Sequence, residues 1–516
     1  MWYPPLSAPE KSRRPGQLLR PLGTLLLASI LALSACSPAA SVPPPEAPVV
    51  SPTTAPADAE PIVLPTPLPT RPGYAPGELV DYIAQDGDTV PALARRFNTT
   101  EREIMAANPI IPSDATTMPP GFPMKIPIYY RALWGTPFQS MPDNAFVLGP
   151  ELVGFNTAAF VDAHEGWLKD YRAYVGGQWR DGASVVDYVA YNFSISPRLL
   201  LALLEYQAGG LSQPAQPSGR YVLGHRQVYY ESVYLQLVWA ANTLNNAYYS
   251  WRSGTLLEFD LLDETLMRPD PWQNAASVAI QYYFSRLYSG DRFILAIGSE
   301  GLLKTYTALF GDPWAVHSTL IPGSLRQPDL ALPFPAGYVW TYTGGPHTGW
   351  GTGQPFAAVD FAPPSEHSGC FKPDEKQFAT AVADGVVVRS EIEGVVLDLN
   401  PAPGVKADGD ERTGWVVYYL HLATEGRAPA GQELRAGDPI GYPSCEGGRV
   451  TGTHVHIARK YNGEWILADG PLAFSLEGWV AHSSGIAYKG TLTRGGGLII
   501  ACECSDAASA IRSGTR

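Results

Sequence analysis

Two histidines stand one residue apart in the segment TGTHVHIARK, residues 451–460. The apolar residues around His454 and His456 predict a β-strand, and in a strand residues i and i+2 project from the same face. Two neighbouring imidazoles can supply two metal ligands, or one ligand and one general base. A pair of surface histidines is the alternative interpretation, so the rest of the region must decide between them.

Further histidines and one aspartate accompany this pair. Six of the nine histidines lie between residues 347 and 482. Asp360 ends an apolar predicted strand, His347 lies in a Gly-rich segment 13 positions earlier, and His421 lies on a third predicted strand. Two histidines, one carboxylate and an open fourth position form a catalytic zinc set, and no redox ligand set is evident.

Short strands must position these residues. Between 330 and 490, runs rich in Val and Ile alternate with Gly, Pro and Asp turns. This pattern predicts an antiparallel β domain at 330–490.

The same region resembles the lysostaphin-type zinc peptidases, in their β-lytic and staphylolysin-like branch. The resemblance rests on GTHVHIA, ATAVADGVVV, YLHL, AGQELRAGDPIGYPS and the long histidine-to-aspartate spacing in HTGWGTGQPFAAVD. It implies that His347, Asp360 and His456 hold zinc. It also implies that His454 is the general base, that His421 stabilises the oxyanion or shares the base role, and that peptidoglycan peptides are hydrolysed.

One position departs from the pattern of most of that family. The compact His-x-x-x-Asp motif would place a histidine where this chain has Phe356. The longer spacing assigns the ligand to His347, and His367 is the alternative ligand. If neither coordinated, the domain would be a metal-free scaffold.

The N-terminal 80 residues indicate export. Basic residues precede a short apolar run within residues 1–35, which predicts a signal peptide. The residues LSAC, ending at Cys36, resemble a bacterial lipoprotein signal, which implies lipid attachment to Cys36 and a membrane anchor. An ordinary secretory signal is the alternative. Proline-rich residues 36–80 predict an extended tether, so the protein is expected outside the cytoplasm at the cell envelope.

The net charge of −13 excludes nucleic-acid binding by bulk charge. The length of 516 residues predicts several domains. The chain therefore belongs among multidomain proteins whose partners are recognised by specific sites.

Four cysteines follow Cys36, and an even number in an exported chain indicates disulfides. Cys370 and Cys445 are the favoured pair because both lie in the β domain. A bond between Cys502 and Cys504, in the predicted tail 491–516, would be strained across one intervening residue. A zinc site made of all four cysteines is the rival interpretation.

Residues 81–129 predict a small βααβ module. A strand and a Gly-Asp turn precede two short helices, and PPGFPMKIPI returns as a strand. The pattern resembles a LysM module, which implies binding to N-acetylglucosamine-containing glycans. The glycan-binding residues carried over from that resemblance are Gly87, Asp88, Thr89 and Asn108.

Residues 145–325 predict a mainly α-helical domain. One helix faintly resembles that of lytic transglycosylases, but the position of the catalytic glutamate holds Gln207, which cannot protonate a glycosidic oxygen. Glu205 would face about 200° away on the helix. The favoured interpretation is a degenerate domain that contacts glycan or has a structural role.

Together these features predict a lipid-anchored zinc metalloendopeptidase that acts on peptidoglycan. The alternative is a non-catalytic peptidoglycan-binding scaffold or activator of other wall hydrolases. Bound metal would distinguish the two.

Overall fold

The computed structural model describes residues 67–514 except 133, 317 and 505. Cys36 and most of the predicted tether lie outside the described residues. The first module contains β1 (Glu78–Ile83), α1 (Val90–Arg96), α2 (Glu101–Ala107) and β2 (Pro123–Ile128). Its strands pair antiparallel, Thr89 caps α1, and Thr100 and Glu103 form a capping box on α2. The predicted βααβ order is confirmed.

Helices dominate the middle region. Its helices are α3 (Asp143–Phe146), α4 (Thr157–Asp162), α5 (Gly182–Phe193), α6 (Pro197–Ala208), α7 (Val233–Arg252), α8 (Ala275–Ser285), α9 (Gly290–Ile297) and α10 (Leu302–Phe310). Two hairpins accompany them, β3 (Arg172–Val175) with β4 (Gln178–Asp181), and β5 (Phe259–Asp260) with β6 (Leu266–Met267). Ser196 caps α6, Pro197 opens it and Gly209 ends it in a left-handed conformation, as the sequence signals require.

The C-terminal region is β-rich. Its strands are β7 (Val339–Thr348), β8 (Phe356–Ala362), β9 (Ala379–Thr380), β10 (Gly385–Glu391), β11 (Gly394–Leu399), β12 (Trp415–Leu420), β13 (Glu433–Leu434), β14 (Pro439–Gly441), β15 (Val455–Tyr461), β16 (Glu464–Trp465), β17 (Ser475–Leu476), β18 (Trp479–Ser483), β19 (Gly490–Arg494), β20 (Gly497–Ile500) and β21 (Ala510–Arg512). The main sheet has the order β13-β10-β11-β12-β15-β8-β7-β21, with β16 paired to β15. Its named pairings are antiparallel, as predicted.

The two faces of this sheet belong to different cores. Along β15, Val455 and Ile457 pack in a core within the β region, whereas Ala458 packs in a core shared with the helices. His456 projects from the same face as Ala458 because strand side chains alternate. The histidine pair therefore lies on the face of the sheet that the helical region covers.

The structure differs from the predicted domain organisation at both ends of the described residues. The segment 491–516 is not a separate tail, since β19 and β20 extend a four-stranded sheet and β21 pairs with β7. These strands are too short for their periodicity to stand out in the sequence. At the other end, Arg71 of the predicted tether pairs with Asp270 at 2.7 Å and lies 3.8 Å from the centroid of the Trp272 ring. Arg71, inside the range predicted as tether, is therefore anchored to the helical region.

Arg252, the last residue of α7, connects all three regions. Its guanidinium pairs with Glu464 of β16 at 2.9 Å and with Asp143 of α3 at 3.0 Å. It also donates to the backbone carbonyl of Asp86 in the βααβ module. All three charged side chains are at least 94% buried. The three regions consequently meet at one buried ionic cluster.

Candidate metal centre

The pairing of β15 with its neighbours assembles the predicted site. His456 lies directly opposite Asp360 of β8 on one side and Leu420 of β12 on the other. His421 follows Leu420, and His347 lies near the end of β7, where the ladder with β8 is irregular. Residues separated by more than a hundred positions thereby reach one end of the sheet.

Three side chains converge on one point. His347 Nε2 lies 2.9 Å from His456 Nδ1, and each of these nitrogens lies 3.3 Å from Asp360 Oδ1. Ligand atoms of a tetrahedral zinc site with bonds of about 2.0–2.1 Å are about 3.3 Å apart. All three residues are buried. Among the described residues, Asp360 Oδ1 accepts no hydrogen bond, although it is fully enclosed. A buried carboxylate oxygen without a donor fits a metal ligand.

Backbone carbonyls determine which ring nitrogens face this point. His347 Nδ1 lies 2.8 Å from the carbonyl of Gly345, and His456 Nε2 lies 3.2 Å from that of Gly349. A carbonyl only accepts, so each of these nitrogens carries the proton. The lone pairs of His347 Nε2 and His456 Nδ1 are left to face Asp360. This second layer of contacts is the arrangement that orients metal-binding histidines.

The charge states suit the same role. Burial would raise the pKa of Asp360, but the neighbouring His347 and His454 rings outweigh it and hold the pKa well below its ordinary value. Burial lowers the pKa of His456, which keeps that ring neutral. An ionised carboxylate and a neutral imidazole are the forms in which Asp360 and His456 would bind Zn²⁺.

His454 and His421 lie beside the three candidate ligands. Their ring centroids are 4.7 Å apart, and His454 Nε2 is 3.8 Å from Asp360 Oδ1. His454 Nδ1 donates to the Gly452 carbonyl and His421 Nδ1 to the Glu446 carbonyl, each at 2.8 Å. Burial, with the two nearby histidines, lowers the pKa of His421 to about 3. Because Nδ1 of each ring is committed to a carbonyl, Nε2 is the atom that each histidine presents for proton transfer, and the lowered pKa keeps the resting His421 ring neutral.

Sequence reasoning missed Tyr488. Its ring stacks on His347 with centroids 4.1 Å apart, and partial desolvation raises its pKa to about 12, although 43% of the residue is exposed. Tyr488 has a positive φ of 67°, which is uncommon for a bulky residue. No pattern marks this residue in the sequence, because it lies in a loop more than a hundred positions from His347.

The alternative ligand does not join the cluster. His367 is exposed in a loop, where its backbone N–H bonds to the hydroxyl of Ser365. Phe356 begins β8 opposite Thr348. The long-spacing choice of His347 is therefore the one that the geometry supports.

The residues predicted to bind glycan have internal contacts. Asp88 is 1% exposed and pairs with Arg96 at 2.7 Å. The buried Asn108 side chain accepts from the backbone N–H of Lys125 at 2.9 Å. Thr89 caps α1. These three side chains form contacts within the module, so each of these motif residues has a structural role.

The loops at this end of the module are covered by the rest of the chain. A Cβ on Gly87 would meet the guanidinium of Arg252. The Thr117 hydroxyl donates to the carbonyl of Pro322 at 2.7 Å, and that of Thr116 donates to the carbonyl of Leu325. Glycan binding by Gly87, Asp88, Thr89 and Asn108 remains a prediction, and any glycan that binds this docked module has to use its exposed surface.

The polar residues of α6 are engaged inside the helical region. Gln207 accepts from the Tyr283 hydroxyl at 2.6 Å and donates to the Leu223 carbonyl at 2.9 Å. Glu205 accepts from the backbone N–H groups of Leu211 and Ser212. These contacts give both residues a structural role.

Both cysteine pairs are disulfides. Cys370 bonds to Cys445 across 75 positions, as favoured from the sequence, and Cys502 bonds to Cys504. The expected strain in the second pair did not prevent its formation, and the four-cysteine zinc site is excluded. The first bond joins the two loops next to His454, since Gly369 accepts from Thr453 N–H.

Replacing Cys370 and Cys445 together by serine is expected to reduce stability by about 2–4 kcal/mol, because the bond closes a long loop in the unfolded chain. The denaturant midpoint measures this effect. The matched control replaces Cys502 and Cys504, whose bond closes almost no loop, and should shift the midpoint far less. Equal shifts would contradict the loop-closure explanation.

Comparison with known proteins identifies two segments. Residues 82–127 match the LysM domain, and residues 139–323 match the family described as "LasA, N-terminal domain". The chain thus carries a LysM domain followed by a LasA-type N-terminal domain, and the predicted LysM module is confirmed.

Longer similarities extend into the β region. The chain is 25% identical over 358 residues to Protease LasA of Pseudomonas aeruginosa strain UCBPP-PA14, covering 64% of this chain and 77% of that protein. Protease LasA of strain PAO1 is 25% identical over 337 residues, covering 60% and 73%. Among solved structures, the M23 metalloprotease pseudoalterin shares 22% identity, covering 34% of this chain and 96% of that chain, with a TM-score of 0.27. The catalytic domain of lysostaphin from Staphylococcus simulans shares 21%, covering 25% and 87%, with a TM-score of 0.18.

Proposed function

We propose that this chain is a zinc-dependent endopeptidase that hydrolyses peptide bonds in peptidoglycan stem peptides or cross-bridges. The observation that carries the proposal is the convergence of His347 Nε2, His456 Nδ1 and Asp360 Oδ1, all within 4.8 Å of one another. Two relatives named Protease LasA and the LysM domain support the choice of a cell-wall peptidase.

Each residue of the site has a chemical task. His347, Asp360 and His456 would hold Zn²⁺, which supplies a Lewis acid for the scissile carbonyl and acidifies a water molecule. His454 would accept the proton of the attacking water at Nε2, because its Nδ1 is committed to the Gly452 carbonyl. His421 would stabilise the developing oxyanion or share the base role, in either case through the Nε2 that its Nδ1 contact with the Glu446 carbonyl leaves available.

The LysM domain and the N-terminal sequence support a location at the cell wall. The LysM domain would bring the protein to the peptidoglycan glycan, which raises the local concentration of substrate peptides. Export and lipid attachment at Cys36 are part of the proposal and rest on the N-terminal sequence alone. The protein would then act outside the cytoplasm, at the envelope.

A non-catalytic wall-binding scaffold is the second candidate. It would require the ligand set to be incomplete or unable to bind metal. The geometric match of three ligands favours the enzyme.

Product analysis tests the proposal. Purified protein lacking residues 1–36 would be loaded with zinc and incubated with isolated peptidoglycan. New amino termini should appear, should cease after chelation and should return when zinc is restored. New reducing sugar ends would indicate glycan cleavage instead, and no products from a folded, zinc-loaded protein would favour the scaffold.

A further inference from the structure

The loop between β7 and β8, residues 349–355, touches the metal centre through its backbone. The carbonyl of Gly349 accepts the Nε2 proton of His456 at 3.2 Å. This contact leaves His456 Nδ1 free to face Asp360. The position of Gly349 therefore determines how one of the three ligands is oriented.

Two asparagines one turn apart on α7 hold the same loop. Asn242 Oδ1 accepts from Thr352 N at 2.8 Å, and its Nδ2 donates to the Thr352 hydroxyl at 3.0 Å. Asn246 Oδ1 accepts from Gln354 N at 2.8 Å, and its Nδ2 donates to the Thr352 carbonyl at 2.7 Å. Each amide uses both its donor and its acceptor, so the loop is fixed in position and in register against the helix.

The loop sequence is adapted to this contact. Gly351 and Gly353 have φ values of 88° and 82°, which only glycine adopts readily. A Cβ on Gly351 would meet Asn242 Oδ1, and one on Gly353 would collide with Asn246 Oδ1. The alternation of glycines in GWGTGQ thus allows the backbone to lie directly on the asparagine amides.

We propose that Asn242 and Asn246 are positioning residues for the metal centre, acting through the Gly349 carbonyl on His456. This inference rests on the proposed zinc site, but not on what the enzyme cleaves. It assigns a role to the LasA-type N-terminal domain, because α7 lies within the matched residues 139–323. That domain supplies part of the support that orients a ligand belonging to the β region.

The zinc affinity of the whole protein, compared between the wild type and a double variant, tests the proposal. The double variant Asn242→Ala/Asn246→Ala should bind zinc about 10–100-fold more weakly, the usual effect of losing an outer-shell contact. Competition with a chromophoric chelator measures the dissociation constant. The visible spectrum of the cobalt-substituted protein should also change, because ligand geometry determines it.

A matched variant separates positioning from stability. Ser232→Ala removes the N-cap of α7, which accepts from Leu235 N, and should lower the denaturant midpoint without altering zinc affinity. If the double variant fails to fold, Gly353→Ala perturbs the same loop from the other side and should weaken zinc binding similarly.

Three outcomes decide the matter. Unchanged zinc affinity and an unchanged cobalt spectrum in a folded double variant would overturn the proposal. Absence of zinc binding by the wild-type protein would overturn it together with the proposed function. A wild-type protein that binds zinc in an Asn242- and Asn246-dependent way but releases no amino termini would refute only the proposed function.

Discussion

Replacing His456 by alanine is expected to remove bound zinc and peptide hydrolysis together, whereas replacing His454 is expected to remove only the hydrolysis. His456 Nδ1 faces His347 and Asp360 at ligand distances. His454 Nε2 stands slightly farther away, 3.8 Å from Asp360 Oδ1. Loss of a general base typically lowers the rate about 10²–10⁴-fold while the metal stays in place.

Elemental analysis and the rate of amino-terminus release measure the two effects on the same samples. About one zinc per chain is expected in the wild type and in His454→Ala, and none in His456→Ala. His367→Ala is the control, since this exposed histidine should change neither quantity. Loss of zinc in His367→Ala, or retention of zinc in His456→Ala, would show that the ligand assignment is wrong.

Replacing Arg252 by methionine is expected to destabilise the protein by about 3–5 kcal/mol, because it leaves buried carboxylates without their cation. Burial already raises the pKa of Glu464 against the opposing effect of Arg252. Without the guanidinium, Glu464 and Asp143 would face each other unpaired, and the Asp86 carbonyl would lose its donor. Methionine keeps much of the side-chain volume, so the effect reports the charge.

Denaturant midpoints of the wild type, Arg252→Met, Glu464→Gln and the double variant measure this interaction. The double variant should be more stable than the sum of the single changes implies, because it removes a partner that would otherwise stay unpaired. The surface pair of Lys304 and Glu300 provides the comparison, since Lys304→Met should cost about 0–1 kcal/mol. A comparably small effect at Arg252 would contradict the role of the buried cluster.

Sequence periodicity was enough to predict those site residues whose arrangement depends on a single strand or helix. The period of two in a strand placed His454 and His456 on one face. The threonines at 89 and at 99 or 100 are candidate helix caps in the sequence, and the structure uses Thr89 and Thr100. His347 could be selected over His367 only through resemblance, because the irregular ladder between β7 and β8 leaves no periodic signal. Its 13-residue separation from Asp360 says nothing by itself about proximity.

Contacts between segments that are distant in the sequence could not be predicted from periodicity. Asn242 and Asn246 read as ordinary polar residues of a helix, and only the folded chain reveals the glycine-rich loop that lies on them. Nothing in the sequence around Arg252 predicts its ion-pair partners, because Asp143 and Glu464 lie more than a hundred positions before and after it. Asp88 and Asn108 fit a binding motif, yet their hydrogen bonds serve the fold.

The pairing of β21 with β7 has a consequence for how the β region is completed during folding. The strand that carries His347 lies at an unpaired edge of the sheet until residues 510–512 are available, because β21 is its outer neighbour. This edge is therefore completed only when residues close to the end of the described sequence have joined the sheet. Truncations that remove β21 would leave an exposed strand edge prone to association with other chains.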